Sequence, residues 1–214
     1  MYELIYPVCE APVLPSAVRF VAVNGAGFMS GKAGRAADKG GKAGEEPDEW
    51  LPVVEPTGEV VAQAPREFIH SSGDILHPVV HLHIINRAGE IYLQKRSPYK
   101  DVYPGLWDSA AGGHVRYGET AVEALFREAR EEISFEDFNP VLLDNYVRTA
   151  HGENELVYAY AAVGDFTPMP DGEEVTEGRY WTPAAISRAR GTGVLTPDFE
   201  FEYEKIHLSL EALL

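Results

Sequence analysis

Cysteine is nearly absent from this sequence, because Cys9 is the only one among its 214 residues. A lone thiol can form neither a disulfide within the chain nor a zinc site built from thiolates. The start of the sequence also lacks the basic residues and unbroken apolar run of a signal peptide, since Glu3, Pro7 and Pro12 interrupt it. No stretch approaches the roughly 18 apolar residues of a membrane span. These absences predict a cytoplasmic protein with no membrane partner.

Positive charge is scarce as well. The chain has 18 Lys and Arg residues against 34 Asp and Glu residues, which gives a formal net charge of −16. A field of this sign repels nucleic-acid polymers, so the sequence predicts none as a partner. A small anionic substrate is still compatible, because bound metal ions and a few local cations can offset the mean charge. The sequence does not decide the oligomeric state.

The chain divides into three segments by composition. Residues 24–48 are rich in Gly, Ala and Lys and offer little apolar surface beyond Phe28 and Met29, which predicts a flexible linker. Residues 1–23 form an N-terminal leader, in which residues 17–23 are compatible both with a short strand docked on the main domain and with disorder. Residues 49–214 are long enough for one domain with a single hydrophobic core.

Strand and helix patterns alternate along the predicted domain. Runs of β-forming residues separated by turn residues predict two antiparallel pairs and one later strand. These runs are 79–85 with 90–96, 141–149 with 156–163, and 178–181. Helices are expected between the two pairs and after Pro183 and Pro197. The alternation predicts an α/β fold, with helices packed as a sandwich on a mixed β-sheet.

The predicted central helix gathers three carboxylates. Thr120 and Glu123 have the spacing of a capping box, so the helix should begin there. At about 100° per residue, the helix has an apolar stripe and a neighbouring acidic one. The apolar stripe consists of Val122, Leu125, Phe126, Ala129 and Ile133, and the acidic one of Glu128, Glu131 and Glu132.

Carboxylates spaced in this way repel one another and destabilise a helix unless something offsets their charge. Solvent, the guanidinium groups of Arg127 and Arg130, or a divalent cation can do so. Because the ligands are hard oxygens, Mg²⁺ or Mn²⁺ would suit the position. The alternative is a solvated acidic helix face, which is the usual role of a charge run.

The segment around this helix resembles the Nudix box. That motif reads Gly, five residues, Glu, seven residues, Arg-Glu, an aliphatic residue, any residue, Glu-Glu, any residue, Gly, and an aliphatic residue. The stretch GGHVRYGETAVEALFREAREEISF carries it at Gly113, Glu119, Arg127, Glu128, Glu131 and Glu132. Ser134 stands where the family has Gly, and a left-handed helix end there would cost Ser on the order of 1 kcal/mol relative to Gly.

This resemblance implies a Nudix-type α/β/α sandwich that hydrolyses a phosphoanhydride with Mg²⁺ or Mn²⁺ as cofactor. Glu128, Glu131 and Glu132 are implied as metal ligands, and either Glu131 or Glu132 as the catalytic base. Arg127 is implied to orient these glutamates. The chemistry agrees, since metal ions neutralise charge on phosphoryl oxygens and lower the pKa of bound water.

Residues 66–155 are further similar to the isopentenyl-diphosphate isomerase branch of the Nudix superfamily. The positions matching that branch's metal ligands are His70, His77, His114, Glu153 and Glu155, and those matching its diphosphate-binding residues are Arg66, Arg96 and Lys100. The likeness implies a second divalent ion, Zn²⁺ or Mn²⁺. The alternatives are surface histidines, a polar hairpin turn and solubilising basic residues.

Two departures from the isomerases favour hydrolysis. The isomerases usually lose carboxylates of the Nudix helix, whereas Glu128, Glu131 and Glu132 are all present here. Those enzymes need a cysteine immediately before the Gly-His pair, and this sequence has Gly112, which has no side chain to transfer a proton. The expected function is therefore a metal-dependent diphosphohydrolase acting on a small diphosphate-containing substrate, a nucleoside diphosphate linked to another moiety. An isopentenyl-diphosphate isomerase and a catalytically weak ligand-binding Nudix module are the alternatives.

Two further histidines lie in the first predicted strand pair. His81 and His83 alternate with Val80, Leu82 and Ile84, so they face the opposite side of the sheet. We expect them to be hydrogen-bonded sheet residues rather than metal ligands.

Overall fold

The computed structural model describes residues 19–20 and 49–214. In chain order its elements are β1 (Arg19–Phe20), β2 (Trp50–Val54), β3 (Val60–Pro65), α1 (Arg66–Ser72), β4 (Leu76–Ile85), β5 (Ile91–Arg96), β6 (Trp107–Asp108), β7 (Ala111–His114), α2 (Ala121–Ile133), β8 (Val141–Ala150), β9 (Glu153–Val163), β10 (Val175–Trp181), α3 (Pro183–Ala189) and α4 (Pro197–Glu211).

Within these residues, seven strands form a mixed sheet in the order β10-β5-β4-β9-β8, with β6 paired to β5 and β7 to β4. The predicted α/β fold and mixed sheet are confirmed. Both predicted antiparallel pairs are present, as β4 with β5 and β8 with β9. The centre of the sheet is parallel, because β4 and β9 run side by side from Leu76 opposite Asn154 to Ile85 opposite Val163.

A smaller sheet of three strands, in the order β1-β3-β2, lies outside the main sheet. In it Arg19 and Phe20 pair with Gln63 and Ala62 of β3. These two residues fall within the segment for which a docked strand was one expectation. The rest of the predicted leader and the predicted linker lie outside the described residues, so those boundaries stay predictions.

Helices cover both faces of the main sheet. Leu125, Ala129 and Ile133 of α2 are buried in one core with alternate residues of β4, among them Val80 and Leu82. The second core lies on the opposite face, where α3 and α4 pack against the sheet. The predicted sandwich is therefore present, and its two layers place α2 and α4 on opposite sides of β4.

Both ends of α2 follow from its sequence. Thr120 accepts a hydrogen bond from the Glu123 backbone and Glu123 bonds back to Thr120, which confirms the capping box. At the other end Ser134 adopts the left-handed conformation, with φ 50° and ψ 41°. Val122 was expected in the apolar stripe, but it is 39% exposed, because its neighbours Ala121 and Leu125 and not Val122 itself face the core.

None of the helices in residues 49–214 is both long enough and apolar enough to cross a membrane.

Candidate active site

A cavity of about 480 Å³ opens where α1, α2 and the ends of β4, β5, β7 and β9 meet. Most of the residues singled out from the sequence line it. They are Arg66, His70, Arg96, Lys100, Gly113, His114, Glu128, Glu131, Glu132, Glu153 and Glu155. Three others do not line it, namely His77, Glu119 and Arg127. Arg127 hydrogen-bonds to Glu119 and to the lining residue Glu128, and His77 hydrogen-bonds to the Ile75 backbone. Residues distant in sequence therefore converge on one place.

Arg127 ties the acidic face of α2 to the loop before it. Its Nη1 donates to Glu128 Oε1 at 2.5 Å and to Glu131 Oε2 at 3.3 Å. Its Nε and Nη2 donate to the two oxygens of Glu119 at 2.8 and 2.9 Å. Nη2 also donates to the His114 carbonyl at 2.9 Å. These bonds hold the carboxylates toward the cavity, which is the geometry an orienting arginine requires.

Close approach of β7 to α2 explains the glycine at position 113. A Cβ atom there would lie 2.4 Å from Glu128 Oε1, well inside contact distance. Any side chain would therefore push the Glu128 carboxylate out of its place.

Glu132 is the most buried carboxylate of the acidic face. It accepts hydrogen bonds from Gln94 Nε2 at 3.0 Å and from the Gly112 amide at 3.1 Å. Burial and the neighbouring charge of Glu128 raise the pKa of Glu132 to about 8. Burial also raises the pKa of Glu128, against the opposing effect of Arg127. Carboxyls with raised pKa values gain most from a cation that takes the place of the proton.

The cavity as a whole is acidic. Among the described residues the Lys and Arg side chains that line it are Arg66, Arg96, Lys100, Arg116 and Arg148. Its carboxylates are twice as many: Glu49, Asp101, Asp108, Glu128, Glu131, Glu132, Glu153, Glu155, Glu174 and Asp198. A diphosphate would be repelled from such a cavity unless divalent cations bound with it.

A second group of possible ligands, three of which line the same cavity, is called the His/Glu cluster here. It consists of His70 from α1, His77 from β4, His114 from β7 and Glu153 from β9, whose ligand atoms all lie within 4.8 Å of one another. His70 Nε2 is 3.1 Å from His114 Nε2, and His70 Nδ1 is 3.3 Å from Glu153 Oε1. Four elements thus bring three imidazoles and a carboxylate to a common point.

The chemistry of these histidines fits a metal ion. His77 Nδ1 donates to the Ile75 carbonyl at 3.1 Å, and its Nε2 is buried without a partner among the described residues. Burial lowers the pKa of His70, His77 and His114, so the rings are neutral near pH 7. Neutral imidazole is the form that binds metal, and a backbone carbonyl on Nδ1 is a common way to aim Nε2 at the ion.

Glu155 stands apart from this group. It lies beside His77 in the parallel ladder and lines the cavity, but the four-residue cluster does not include it. Burial raises the pKa of its carboxyl. The geometry therefore brings together four of the five residues expected as ligands, with the fifth next to them.

The three basic residues expected to hold diphosphate are each paired with a carboxylate. Arg66 contacts Glu49 at 3.4 Å, Arg96 contacts Asp108 at 3.4 Å, and Lys100 forms an ion pair with Glu174. Two further arginines of the cavity were missed. Arg116 lies between Gly113 and Glu119, so its proximity was readable from the motif, whereas Arg148 on β8 belongs to no motif.

His81 and His83 face away from Val80 and Leu82, as expected, and α4 lies on their side of the sheet. His81 is hydrogen-bonded as expected, but His83 is not, because neither of its ring nitrogens has a hydrogen-bond partner among the described residues. Glu202 of α4, which sequence reasoning missed, accepts a hydrogen bond from His81 Nδ1 at 2.8 Å. The same oxygen is 3.2 Å from His83 Nε2. Glu202 and His83 are buried, whereas His81 reaches the cavity.

Comparisons with known proteins agree with this architecture. The NUDIX domain family model matches residues 75–199. An isopentenyl-diphosphate Delta-isomerase of Mycolicibacterium vanbaalenii is 31% identical over 149 residues, which cover 66% of this chain and 81% of that protein. A Nudix hydrolase of Deinococcus radiodurans is 31% identical over 140 residues, which cover 64% of this chain and 80% of that protein.

Among solved structures, DR0079 from Deinococcus radiodurans is similar with a TM-score of 0.65 and 27% identity, covering 74% of this chain and 99% of that one. These matches confirm both similarities inferred from the sequence, to the Nudix box and to the isomerase-like branch.

Proposed function

We propose that this chain, which belongs to the NUDIX domain family, is a metal-dependent diphosphohydrolase. Family membership and relatives named as Nudix hydrolases support a hydrolase of the pyrophosphatase type in general. The finer proposal is that the substrate is a nucleoside diphosphate linked to another moiety, and that the phosphoanhydride between the two phosphates is cleaved.

The observation that carries this proposal is the complete acidic face of α2. Glu128, Glu131 and Glu132 line the cavity, and Arg127 holds the first two by hydrogen bonds. An excess of carboxylates with raised pKa values fits a hard divalent cation, so we assign Mg²⁺ or Mn²⁺ to this face. When bound, such an ion neutralises phosphoryl charge and lowers the pKa of water.

The chain's own residues have distinct tasks in this scheme. Arg127 fixes the carboxylate positions, and either Glu131 or Glu132 accepts the proton of the attacking water. Arg96, Lys100 and Arg66 contact the diphosphate, exchanging their present carboxylate partners for phosphate oxygens. Cationic side chains at a developing phosphoryl charge are a standard means of stabilising this displacement.

The His/Glu cluster would hold a second ion, for which Zn²⁺ or Mn²⁺ suits a set of three imidazoles and a carboxylate. The partnerless Nε2 of His77 supports this assignment. We propose that Glu155, beside the cluster, completes the ligand set.

Phosphate release from nucleoside diphosphate sugars and dinucleotides, with Mg²⁺ or Mn²⁺, tests the proposal. Glu131→Gln keeps the size of the side chain and removes its charge, and we expect at least about a 100-fold loss of turnover. The matched control is Glu136→Gln, because Glu136 pairs with Arg130 outside the cavity. A folded Glu131→Gln enzyme with the wild-type rate would refute the assignment.

An isomerase is the second candidate, because several relatives are named isopentenyl-diphosphate isomerases. Gly112 lines the cavity where that chemistry needs a cysteine. Incubation with isopentenyl diphosphate and metal should therefore yield no dimethylallyl diphosphate above background. Efficient conversion would reverse the ranking of the two functions.

A further inference from the structure

His81 is fixed at the floor of the cavity by a buried carboxylate. Its Nδ1 is 2.8 Å from Glu202 Oε2, and Glu202 is only 1% exposed. The same oxygen lies 3.2 Å from His83 Nε2, so α4 holds both rings through one group. With Nδ1 committed to Glu202, the remaining nitrogen of His81, Nε2, is left for the cavity that this residue lines.

The His81 ring also occupies the space beside Gly112. The two residues are register partners between β4 and β7. A Cβ atom at position 112 would lie 2.9 Å from His81 Cδ2 and 3.0 Å from the Val80 carbonyl. Cδ2 adjoins Nε2 in the ring, so the Cδ2–Nε2 edge lies next to the glycine whose amide donates to Glu132. His81 thus fills the volume that a side chain at position 112 would need, next to the acidic face of α2.

The charge state of the His81 imidazole suits a hydrogen-bond donor. Burial by itself lowers the pKa of His81, but the charge of Glu202 and its hydrogen bond raise the pKa to about 9. Both ring nitrogens then carry protons at neutral pH. The arginines and lysine of the cavity are engaged with carboxylates, whereas Glu202 engages His81 only at Nδ1.

We propose that His81 contacts the substrate, its Nε2–H donating to an oxygen of the bound diphosphate from the place that a side chain at position 112 would fill. The inference rests on the proposed function, because it deepens the same site. Glu202 is then a positioning residue, which aims the imidazole and keeps it charged. A purely structural role, in which His81 only fastens α4 to the sheet, predicts that His81 and His83 behave alike.

Binding of imidodiphosphate with Mg²⁺ tests this without turnover, because its P–N–P bridge resists hydrolysis. In His81→Asn the amide nitrogen takes the position of Nδ1 and keeps the bond to Glu202, while the Nε2 donor is lost. The matched control is His83→Asn, which disturbs the same carboxylate away from the cavity. By titration calorimetry on the full chain we expect at least about tenfold weaker binding for His81→Asn, and a change below threefold for His83→Asn.

Gly112→Ala provides an independent arm, because its Cβ would displace the His81 ring. It should weaken imidodiphosphate binding in the wild-type background and have little effect in the His81→Asn background, since the two changes remove the same contact. Additive effects would contradict the proposal. So would equal losses in His81→Asn and His83→Asn, or no binding by the wild-type chain.

The hydrolysis assay separates this inference from the proposed function. Wild-type chain that binds imidodiphosphate through His81 but cleaves no substrate refutes the proposed function alone. The role of His81 alone is refuted if the wild-type chain cleaves substrate and the His81→Asn and His83→Asn variants bind and cleave equally well.

Discussion

At the scale of single residues, Glu202 is a buried charge that faces two histidines and the Tyr146 hydroxyl. Burial by itself raises its pKa, but the charges of His81 and His83 and the hydrogen bond from His81 hold the pKa of Glu202 well below its ordinary value of 4.5. A carboxyl of lowered pKa stabilises the fold above its unfolded pKa, and this contribution is lost as pH falls. For His81, whose pKa rises from 6.5 to about 9, the contribution is complete below 6.5 and lost as pH rises through 9. The pair is therefore most stabilising between about pH 4.5 and 6.5.

This reasoning predicts a pH-dependent cost for Glu202→Gln. Near pH 5.5 the variant should lose about 3 kcal/mol in the free energy of unfolding, because without Glu202 burial disfavours the charged His81 ring and folding must remove its proton. The penalty should shrink toward pH 9, where His81 is already neutral in the unfolded chain and loses its proton in the folded wild-type chain as well. Urea titrations at the two pH values measure the difference.

Glu204→Gln serves as the control, because Glu204 lies on the same helix and pairs with Arg190 at the surface. Its effect should be small at both pH values. An equal penalty for Glu202→Gln at pH 5.5 and pH 9 would show that charge is not the source of the stabilisation.

At the scale of elements, the site depends on how closely β7 approaches α2. Gly113→Ala should lower turnover by at least about tenfold, because its Cβ would meet the Glu128 carboxylate at 2.4 Å. Steady-state hydrolysis measures the loss. Gly193→Ala is a suitable control, since φ there is +78° and a Cβ would meet nothing within 4 Å. It carries backbone strain without touching the cavity, and wild-type turnover is expected. Similar losses in both variants would attribute the effect to general destabilisation of the fold and not to displacement of the Glu128 carboxylate.

The elements that sequence predicted are those with a strong local pattern. The capping box and apolar periodicity of α2 are local, as are the β-rich runs of the two antiparallel pairs. The helix α1 was missed because Pro65 gives it no side-chain cap and only Ile69 is buried. The strands β6 and β7 span two and four residues, too few for a period to be visible.

Local sequence patterns also could not predict contacts between elements that are distant in the chain. Motif spacing gathered the acidic face of α2, and the resemblance to the isomerase branch gathered three histidines as a separate metal position. The structure brings two of those histidines, His70 and His114, into the same cavity as the acidic face. The bond between His81 and Glu202 joins residues 121 positions apart, and no motif contains Glu202. Such a partner follows only from the packing of α4 on the sheet.

At the scale of the whole molecule, the net charge of −16 should influence cation binding. Raising the ionic strength from about 0.01 to 0.15 M shortens the Debye length from about 30 to 8 Å and screens the attraction. The affinity for Mg²⁺ should therefore weaken several-fold across this range, as measured by titration calorimetry. Choline chloride is the salt of choice, because its bulky cation does not compete for oxygen ligands. An affinity independent of salt would mean that only the nearest carboxylates matter.

The parallel pairing of β4 with β9 has a consequence for folding kinetics. The strands are separated in sequence by β5, β6, β7, α2 and β8, so their pairing closes a long loop and comes at a high entropic cost. The His/Glu cluster draws on both strands, and therefore it does not exist until that loop has closed. An ion bound there should slow unfolding and leave the refolding rate unchanged, which stopped-flow experiments with and without Zn²⁺ would reveal. The metal would stabilise the native fold after it has formed and would take no part in the folding nucleus.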